Sequence, residues 1–268
     1  MKVLLMGTGG ADGIPALYGD DRVSKYARAN GGRDLRTRAA ALVDRDFKID
    51  LGPDTLSQVH RFGIDPRDWS ALFVTHSDED HLCLSEIQYG MFPFVECEKL
   101  EYTIYGNPIV CELIRHRYPE WPIDLIELKK WHTVTHEAYQ VTPVHATHKG
   151  DEECHNFIIE KDGRRFFYAT DTGFYRQETF DFLAGKSLHA MVIECTDGFH
   201  KTPYVGHMDI AQCVEQVSRL RENGALAKGS QVFTTHHSAG GGATNEELEQ
   251  ALCPYGITPG FDGLSFEV

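Results

Sequence analysis

The stretch Thr75-His76-Ser77-Asp78-Glu79-Asp80-His81, THSDEDH, follows directly on the apolar run Ala71-Leu72-Phe73-Val74. A short apolar run bounded by polar residues reads as a buried strand, so the charged stretch begins where that strand ends. Two imidazoles and three carboxylates in seven positions are ligand-type groups, and divalent transition metals take such ligands from a rigid scaffold. His76 and Asp78 alternate, so in an extended turn both point the same way, while Asp80 and His81 turn toward a second position. An acidic helix start, with Ser77 or Asp78 as N-cap, accounts for the acids. It leaves both histidines without a task.

The same pattern recurs along the chain. After the predicted strand Tyr139 to Pro143 come His145 and His148, after Arg165 to Ala169 comes Asp171, and after Gln231 to Thr234 come His236 and His237. Strand ends on one edge of a sheet bring distant loops together, which a metal centre requires. Further strands are predicted at Val3 to Met6, Ala40 to Val43, Phe47 to Asp50, Tyr102 to Tyr105, Asn156 to Glu160 and Ala190 to Glu194. Lys161 to Arg165 (KDGRR) and Asp44-Arg45-Asp46 read as hairpin turns. Helices are predicted at Asp54 to Phe62, Leu84 to Tyr89, Pro108 to Arg117, Thr179 to Leu183, Asp209 to Glu222 and Asn245 to Leu252, with Asp209 capping the clearest of them. Hairpin-like strand runs in both halves, each followed by a helix, fit two antiparallel-rich sheets with helices outside, in one domain spanning residues 1–268.

Composition narrows the function. The 26 Lys and Arg against 40 Asp and Glu leave a net charge of −14, which argues against general attraction to nucleic acid or anionic membranes. The expected partners are a small-molecule substrate and at most a second copy of the chain in a homodimer. MKVLLMGTGG has too short an apolar run for a secretory signal, and no apolar stretch approaches the roughly 20 residues that span a bilayer. Seven cysteines without a C-x-x-C pair suit reduced thiols. These readings place the chain in the cytoplasm.

THSDEDH resembles the T-H-x-H-x-D-H signature of the metallo-β-lactamase fold superfamily. Met6 to Leu17 (MGTGGADGIPAL), LRTRAAALVD, IDLGPDT, VTPVHATH, YATDTG, GHMD, TTHHS and YGIT with FDG follow in the order found in the branch of the cyclic-phosphate phosphodiesterases of phosphonate catabolism. They are similar, more distantly, to the tRNA 3′-processing endonucleases. The resemblance implies an αββα four-layer sandwich of two mixed, largely antiparallel sheets. It also implies a metal-dependent hydrolase with one or two divalent ions, zinc, manganese or iron. His76, Asp78 and His148 would bind the first ion, with His145 as the alternative to His148; Asp80, His81 and His236 would bind the second, and Asp171 would bridge. Hydroxide held by the metals would attack a phosphodiester or cyclic phosphate, with Asp80 orienting it and His207 protonating the departing alkoxide. A lactone or carboxylic ester hydrolase and a metal-binding protein without catalysis are the other readings.

Two departures from that family pattern stand out. Position 78 is an acid where the signature has histidine. Two divalent ions against Asp78, Asp80, Asp171 and a hydroxide give a neutral shell, which favours oxygen-preferring Mn²⁺ or Fe²⁺ over Zn²⁺ and weakens the pull on an anionic substrate. Gly19, Asp21 and Ser24 stand where many relatives carry cysteines of a structural zinc, so no such zinc is expected; packing or pairs of Asp20 or Asp21 with Arg22 or Arg28 would hold that loop. The glycines of Gly7 to Gly13 do not have dinucleotide-binding spacing and are expected to allow close backbone approach at the metal edge. Ser238 to Glu247 reads either as a loop closing over substrate or as the lead into a last helix capped by Thr244 or Asn245.

Overall fold

The computed structural model describes residues 1–268. Its first sheet is built from β1 (Lys2–Gly7), β2 (Ala40–Val43), β3 (Phe47–Ile49), β4 (Ala71–Phe73), β5 (Thr103–Gly106) and β6 (Leu125–Glu127). The second takes β7 (Val134–His136), β8 (Tyr139–His145), β9 (His155–Lys161), β10 (Arg164–Ala169), β11 (Leu188–Glu194), β12 (Leu226–Thr235) and β13 (Thr258–Pro259), and β14 (Ser265–Glu267) returns to the first. The orders are β14-β1-β2-β3-β4-β5-β6 and β13-β12-β11-β10-β9-β8-β7.

Both sheets are mixed, as expected, but not largely antiparallel. In the first, β14-β1-β2-β3 pair antiparallel and β3-β4-β5-β6 parallel; in the second, β7-β8-β9-β10 pair antiparallel and β10-β11-β12-β13 parallel. Hairpins announce themselves through turn residues, whereas parallel neighbours are joined by helices and leave no local signal. The β9–β10 turn carries Asp162 and Gly163 at φ 52° and 72°, as a primed hairpin turn requires.

Three apolar layers separate four layers of structure. Between the sheets lie Val3, Leu5, Phe47, Phe73, Tyr105, Phe157, Phe166 and Tyr168, with Phe73 stacked between Phe47 and Tyr105 at centroid distances of 4.5 and 4.2 Å. Outside the first sheet pack α2 (Thr55–Phe62), α3 (Leu84–Gln88) and α4 (Pro108–Arg117); outside the second pack α5 (Gln177–Leu183), α6 (Ile210–Glu222) and α7 (Asn245–Leu252). Asp209 caps α6 in a capping box with Gln212, and Thr244 does the same for α7 with Glu247. The segment before α7 is therefore an ordered lead: Ala239–Gly241 forms a 3₁₀ turn.

A helix not anticipated from the sequence, α1 (Arg22–Asn30), occupies the loop that lacks the family's cysteines. Val23 and Ala27 pack on Ile14 and Ala239, and Asp21 caps the helix through Ser24 N at 2.7 Å. The charge pairs differ from expectation: Asp20 pairs with Lys25, Arg22 with Glu247, and Arg28 donates to the carbonyls of Gly19 and Ala16. All seven cysteines are free, and no helix is long and apolar enough to cross a membrane.

Candidate metal centre

Strands β3, β4, β10, β11 and β12 deliver their C-terminal ends to one edge of the sandwich, as does β8, antiparallel to β9 and thus parallel to β10. The residues at or just past those ends are Asp50, Thr75 to His81, His148, Asp171, Glu194 and His236. The main chain turns sharply there: Asp50, Asp171 and His236 have φ of 60°, 44° and 58°. Such left-handed conformations in non-glycine residues persist only where the surroundings hold them, and they concentrate at functional sites. Glycines let the backbone of the first loop approach. A Cβ on Gly7 would collide with the Arg38 carbonyl, and one on Gly10 would meet the His236 ring at 3.3 Å.

Four imidazoles meet at this edge, and each has its Nδ1 engaged from behind. His81 Nδ1 donates to Asp50 Oδ2 at 2.8 Å. Thr75 Oγ1 donates to Asp50 at 3.0 Å and so accepts from His76 Nδ1, also at 3.0 Å. Thr196 Oγ1 donates to Glu194 Oε2 and accepts from His236 Nδ1 at 2.9 Å. His148 Nδ1 faces the Gly206 carbonyl at 3.2 Å. These outer acceptors fix the tautomer, leaving every Nε2 free to offer a lone pair inward.

Carboxylates fill the space between them. Asp171 Oδ2 lies 2.8 Å from His81 Nε2 and 3.1 Å from His236 Nε2, while its Oδ1 lies 3.8 Å from His148 Nε2. Asp80 Oδ2 is 3.2 Å from His81 and 3.4 Å from His236. Asp78 Oδ2 is 3.4 Å from both His76 Nε2 and His148 Nε2. The ligand atoms of His76, His148 and Asp171 lie within 4.8 Å of one another, as do those of Asp80, His81 and His236, and those of Asp171, His207 and His236. His76 Nε2 is buried without any hydrogen-bond partner.

Burial opposes a charge on His81, His148 and His236, but the acids override it. His81 is held well above its ordinary pKa by Asp171, Asp80 and Asp50 against burial, and His236 is raised by Asp171 and Asp80. His148 pushes the Asp78 carboxyl far below the usual range, with His76 and Lys149 adding to it. An orphaned inward nitrogen, tautomers set from outside and an excess of acid are what a divalent cation would complete, and binding one would release the protons these histidines hold. The residues present fit such an ion.

The other histidines marked by the sequence, and the helix-capping alternative for Asp78, separate clearly. His145 ends β8 and turns to Glu178 at 3.1 Å, outside the cluster. His237 is buried, its ring on Thr234 Oγ1 at 3.1 Å, and its backbone carbonyl accepts from Gly10. His207 stands at the rim, Nδ1 4.0 Å from Asp171 Oδ1 and 3.7 Å from Glu194 Oε1. Asp78 does not cap a helix: its carbonyl accepts from His81 N and Leu82 N, and α3 begins only at Leu84.

Asp50, Glu194 and Lys149 are among the residues with a part in the site that were not picked out from the sequence. Asp50, in IDLGPDT, supports His81 and Thr75. Glu194, the acid ending β11, serves both His236 through Thr196 and His207. Lys149 places Nζ 2.7 Å from Asp78 Oδ1. The first two carried the signal that marked the others, a carboxylate directly after an apolar strand.

A fold of this kind, with imidazoles and carboxylates converging at one edge of a β-sandwich, defines the class of metal-centred hydrolase folds. The chain belongs to the beta-lactamase superfamily: the family model described as the Beta-lactamase superfamily domain matches residues 45–237. Among solved structures it is similar to a new diphosphatase from the PhnP family, at 20% identity and TM-score 0.79, covering 100% of this chain and 96% of that one. Zn²⁺-bound PqqB from Methylobacterium extorquens aligns at 17% identity and TM-score 0.74 over 100% of both chains. Human tRNase Z, short form, aligns at 14% and 0.68, covering 100% of this chain and 99% of its own. No curated protein matches the sequence.

Proposed function

We propose that the chain is a metal-dependent hydrolase acting on a phosphodiester or cyclic phosphate of a small molecule. The observation that carries this reading is the set of four imidazoles with Nδ1 occupied from outside and Nε2 turned inward around Asp171. In this reading His76, Asp78, His148 and Asp171 hold one ion, and Asp80, His81, His236 and Asp171 hold another. The bound ions supply Lewis acidity, lowering the pKa of water and stabilising developing anionic oxygens.

The protein's own groups supply the rest. Asp80, its Oδ2 between His81 and His236, accepts a hydrogen bond from the attacking water and sets its direction. Glu194 Oε1 and Asp171 Oδ1 face Nδ1 of His207 and raise that imidazole's affinity for its proton against burial. The opposite nitrogen then carries a proton to hand to the departing oxygen. Support for phosphate chemistry comes from the ordered motifs shared with cyclic-phosphate phosphodiesterases and from the likeness to a diphosphatase and a tRNase Z.

Asp78 favours a second reading, hydrolysis of a lactone or carboxylic ester, because an acid in place of histidine lowers the positive field that an anionic phosphodiester needs. Turnover of bis-p-nitrophenyl phosphate and of a lactone panel, with Mn²⁺, Fe²⁺ and Zn²⁺ in turn, separates the two. The phosphodiester reading expects phosphodiester turnover that Asp171→Ala abolishes. Turnover of lactones alone transfers the assignment to the second reading. Silence on every substrate with metal bound leaves a metal-binding protein without catalysis.

A further inference from the structure

A lysine is an unexpected neighbour for a cation site, yet Lys149 directly follows His148. Its Nζ lies 2.7 Å from Asp78 Oδ1, 2.9 Å from Glu152 Oε2 and 3.2 Å from Ser77 Oγ. The two oxygens of Asp78 therefore have different partners: Oδ1 meets the ammonium, and Oδ2 alone faces His76 Nε2 and His148 Nε2, at 3.4 Å from each. Glu152 anchors the lysine. Its side chain is 1% exposed and accepts from Ser77 N at 2.8 Å, Ser77 Oγ at 2.6 Å and Asn107 Nδ2 at 2.7 Å. Asn107 is itself fixed as the N-cap of α4.

We propose that Lys149 is a positioning residue that occupies Oδ1 of Asp78 and so makes Asp78 a single-oxygen donor to the first metal site, in the place of an imidazole. This rests on the metal-centre reading above. A carboxylate 40% exposed to solvent is free to rotate toward water or to offer both oxygens to one ion. A second oxygen raises the coordination number and favours larger, oxygen-preferring ions. With one oxygen claimed by an ammonium, the group presents one donor in one direction, as histidine does. Lys149 and Glu152 carry opposite charges 2.9 Å apart, so the pair acts on the site through orientation more than through added field. The oxygen preference expected from Asp78 alone is thereby restrained.

The test uses the full chain stripped of metal, as wild type, K149M, K149R, D78H and the double variant D78H/K149M, titrated with Zn²⁺, Mn²⁺ and Co²⁺. Loss of an outer partner typically costs about 10- to 100-fold in metal affinity. K149M is expected to weaken Zn²⁺ at the first site by about that factor relative to Mn²⁺, with the second site unchanged. The visible bands of Co²⁺ should lose intensity as its coordination number rises, and K149R should restore both readouts. In the D78H background, where no carboxylate is left to hold, K149M should change first-site Zn²⁺ affinity by no more than about twofold. Should K149M fail to fold by circular dichroism, K149Q, which keeps an uncharged donor, takes its place in the same cycle. An unchanged Zn²⁺ to Mn²⁺ ratio and Co²⁺ spectrum in the Lys149 variant overturns the proposal, as does an equal loss in the D78H background. A wild-type chain that binds no ion would instead sink the metal-centre reading, and this inference with it.

Discussion

Replacing Asp50 by asparagine changes one atom, reaches no substrate and should still disable half of the metal centre. The Asp50 carboxylate is fully buried and accepts from Thr75 N at 2.8 Å, Thr75 Oγ1 at 3.0 Å and His81 Nδ1 at 2.8 Å. Asparagine tolerates the left-handed backbone at this position, so the effect is chemical. Its single carbonyl oxygen cannot serve both sides. If the oxygen faces Thr75, the amide N–H meets His81 Nδ1 and drives the ring's proton to Nε2, removing the inward lone pair. If the amide is flipped, N–H meets the Thr75 donors. An unsatisfied buried donor costs about 1–3 kcal/mol, which for a domain of this size lowers Tm by about 2–12 °C. Lost support for a metal-ligating imidazole costs about 10- to 100-fold in affinity. Competition of the metal-free protein with a chromophoric chelator reads each site. With its oxygen on Thr75, Asp50→Asn should weaken the site of Asp80, His81 and His236 by that factor and spare the site of His76 and His148; with the amide flipped, Thr75 Oγ1 loses its acceptor and the His76 site is weakened instead. Wild-type affinity at both sites, with wild-type turnover, would refute tautomer control by Asp50.

Further outcomes follow from the same structure. His207→Ala should slow hydrolysis of a phosphodiester with an alkyl leaving group by about 100-fold or more and barely touch p-nitrophenyl release, which needs no acid; equal losses on both substrates would remove His207 from that role. Glu194→Gln should move the alkaline limb of the alkyl-ester pH–rate profile to lower pH, because Glu194 helps hold His207 protonated above its ordinary range. Burial would raise the Asp44 carboxyl, but bonds from Lys161, Lys2 N and Tyr139 bring it down to about 2 from 3.8. A folded value below the unfolded one gives stability present above pH 3.8 and lost as the pH falls through about 2. Asp44→Asn should thus cost about 1 kcal/mol at pH 7 after screening, and progressively less as the pH falls through about 2, by urea unfolding. Phe73→Ala, which empties the centre of the Phe47–Phe73–Tyr105 stack, should destabilise the chain by about 3–5 kcal/mol by the same method.

The parts of the fold that declare themselves locally are those the sequence exposed. Apolar runs such as Ala71 to Val74 and Arg165 to Ala169 are buried strands, and the polar residues after them are the residues that meet at the sheet edge. Strand β6 reads Leu-Ile-Glu and is largely exposed, and β13 is two residues long; such edge strands exist through pairing with a neighbour, which no window of sequence records. Helix α1 has a mostly polar composition and is defined by its cap at Asp21 and by contacts with Ile14 and Ala239 from distant segments. The partners behind the site were hidden for a related reason. Asp50 is one acid among many in an acidic chain, and its importance arises only when β3 and β4 lie side by side. Lys149 illustrates the same limit more sharply, since nothing local in the sequence shows that the fold brings its ammonium to one oxygen of Asp78.

Anomalous diffraction from crystals grown with Mn²⁺ or Zn²⁺ addresses the central claim most directly. Two peaks are predicted, one among His76, Asp78, His148 and Asp171 and one among Asp80, His81, His236 and Asp171, each within bonding distance of the inward Nε2 atoms. No anomalous density at that edge under saturating metal, or a peak bound only by residues elsewhere on the molecule, would contradict the account.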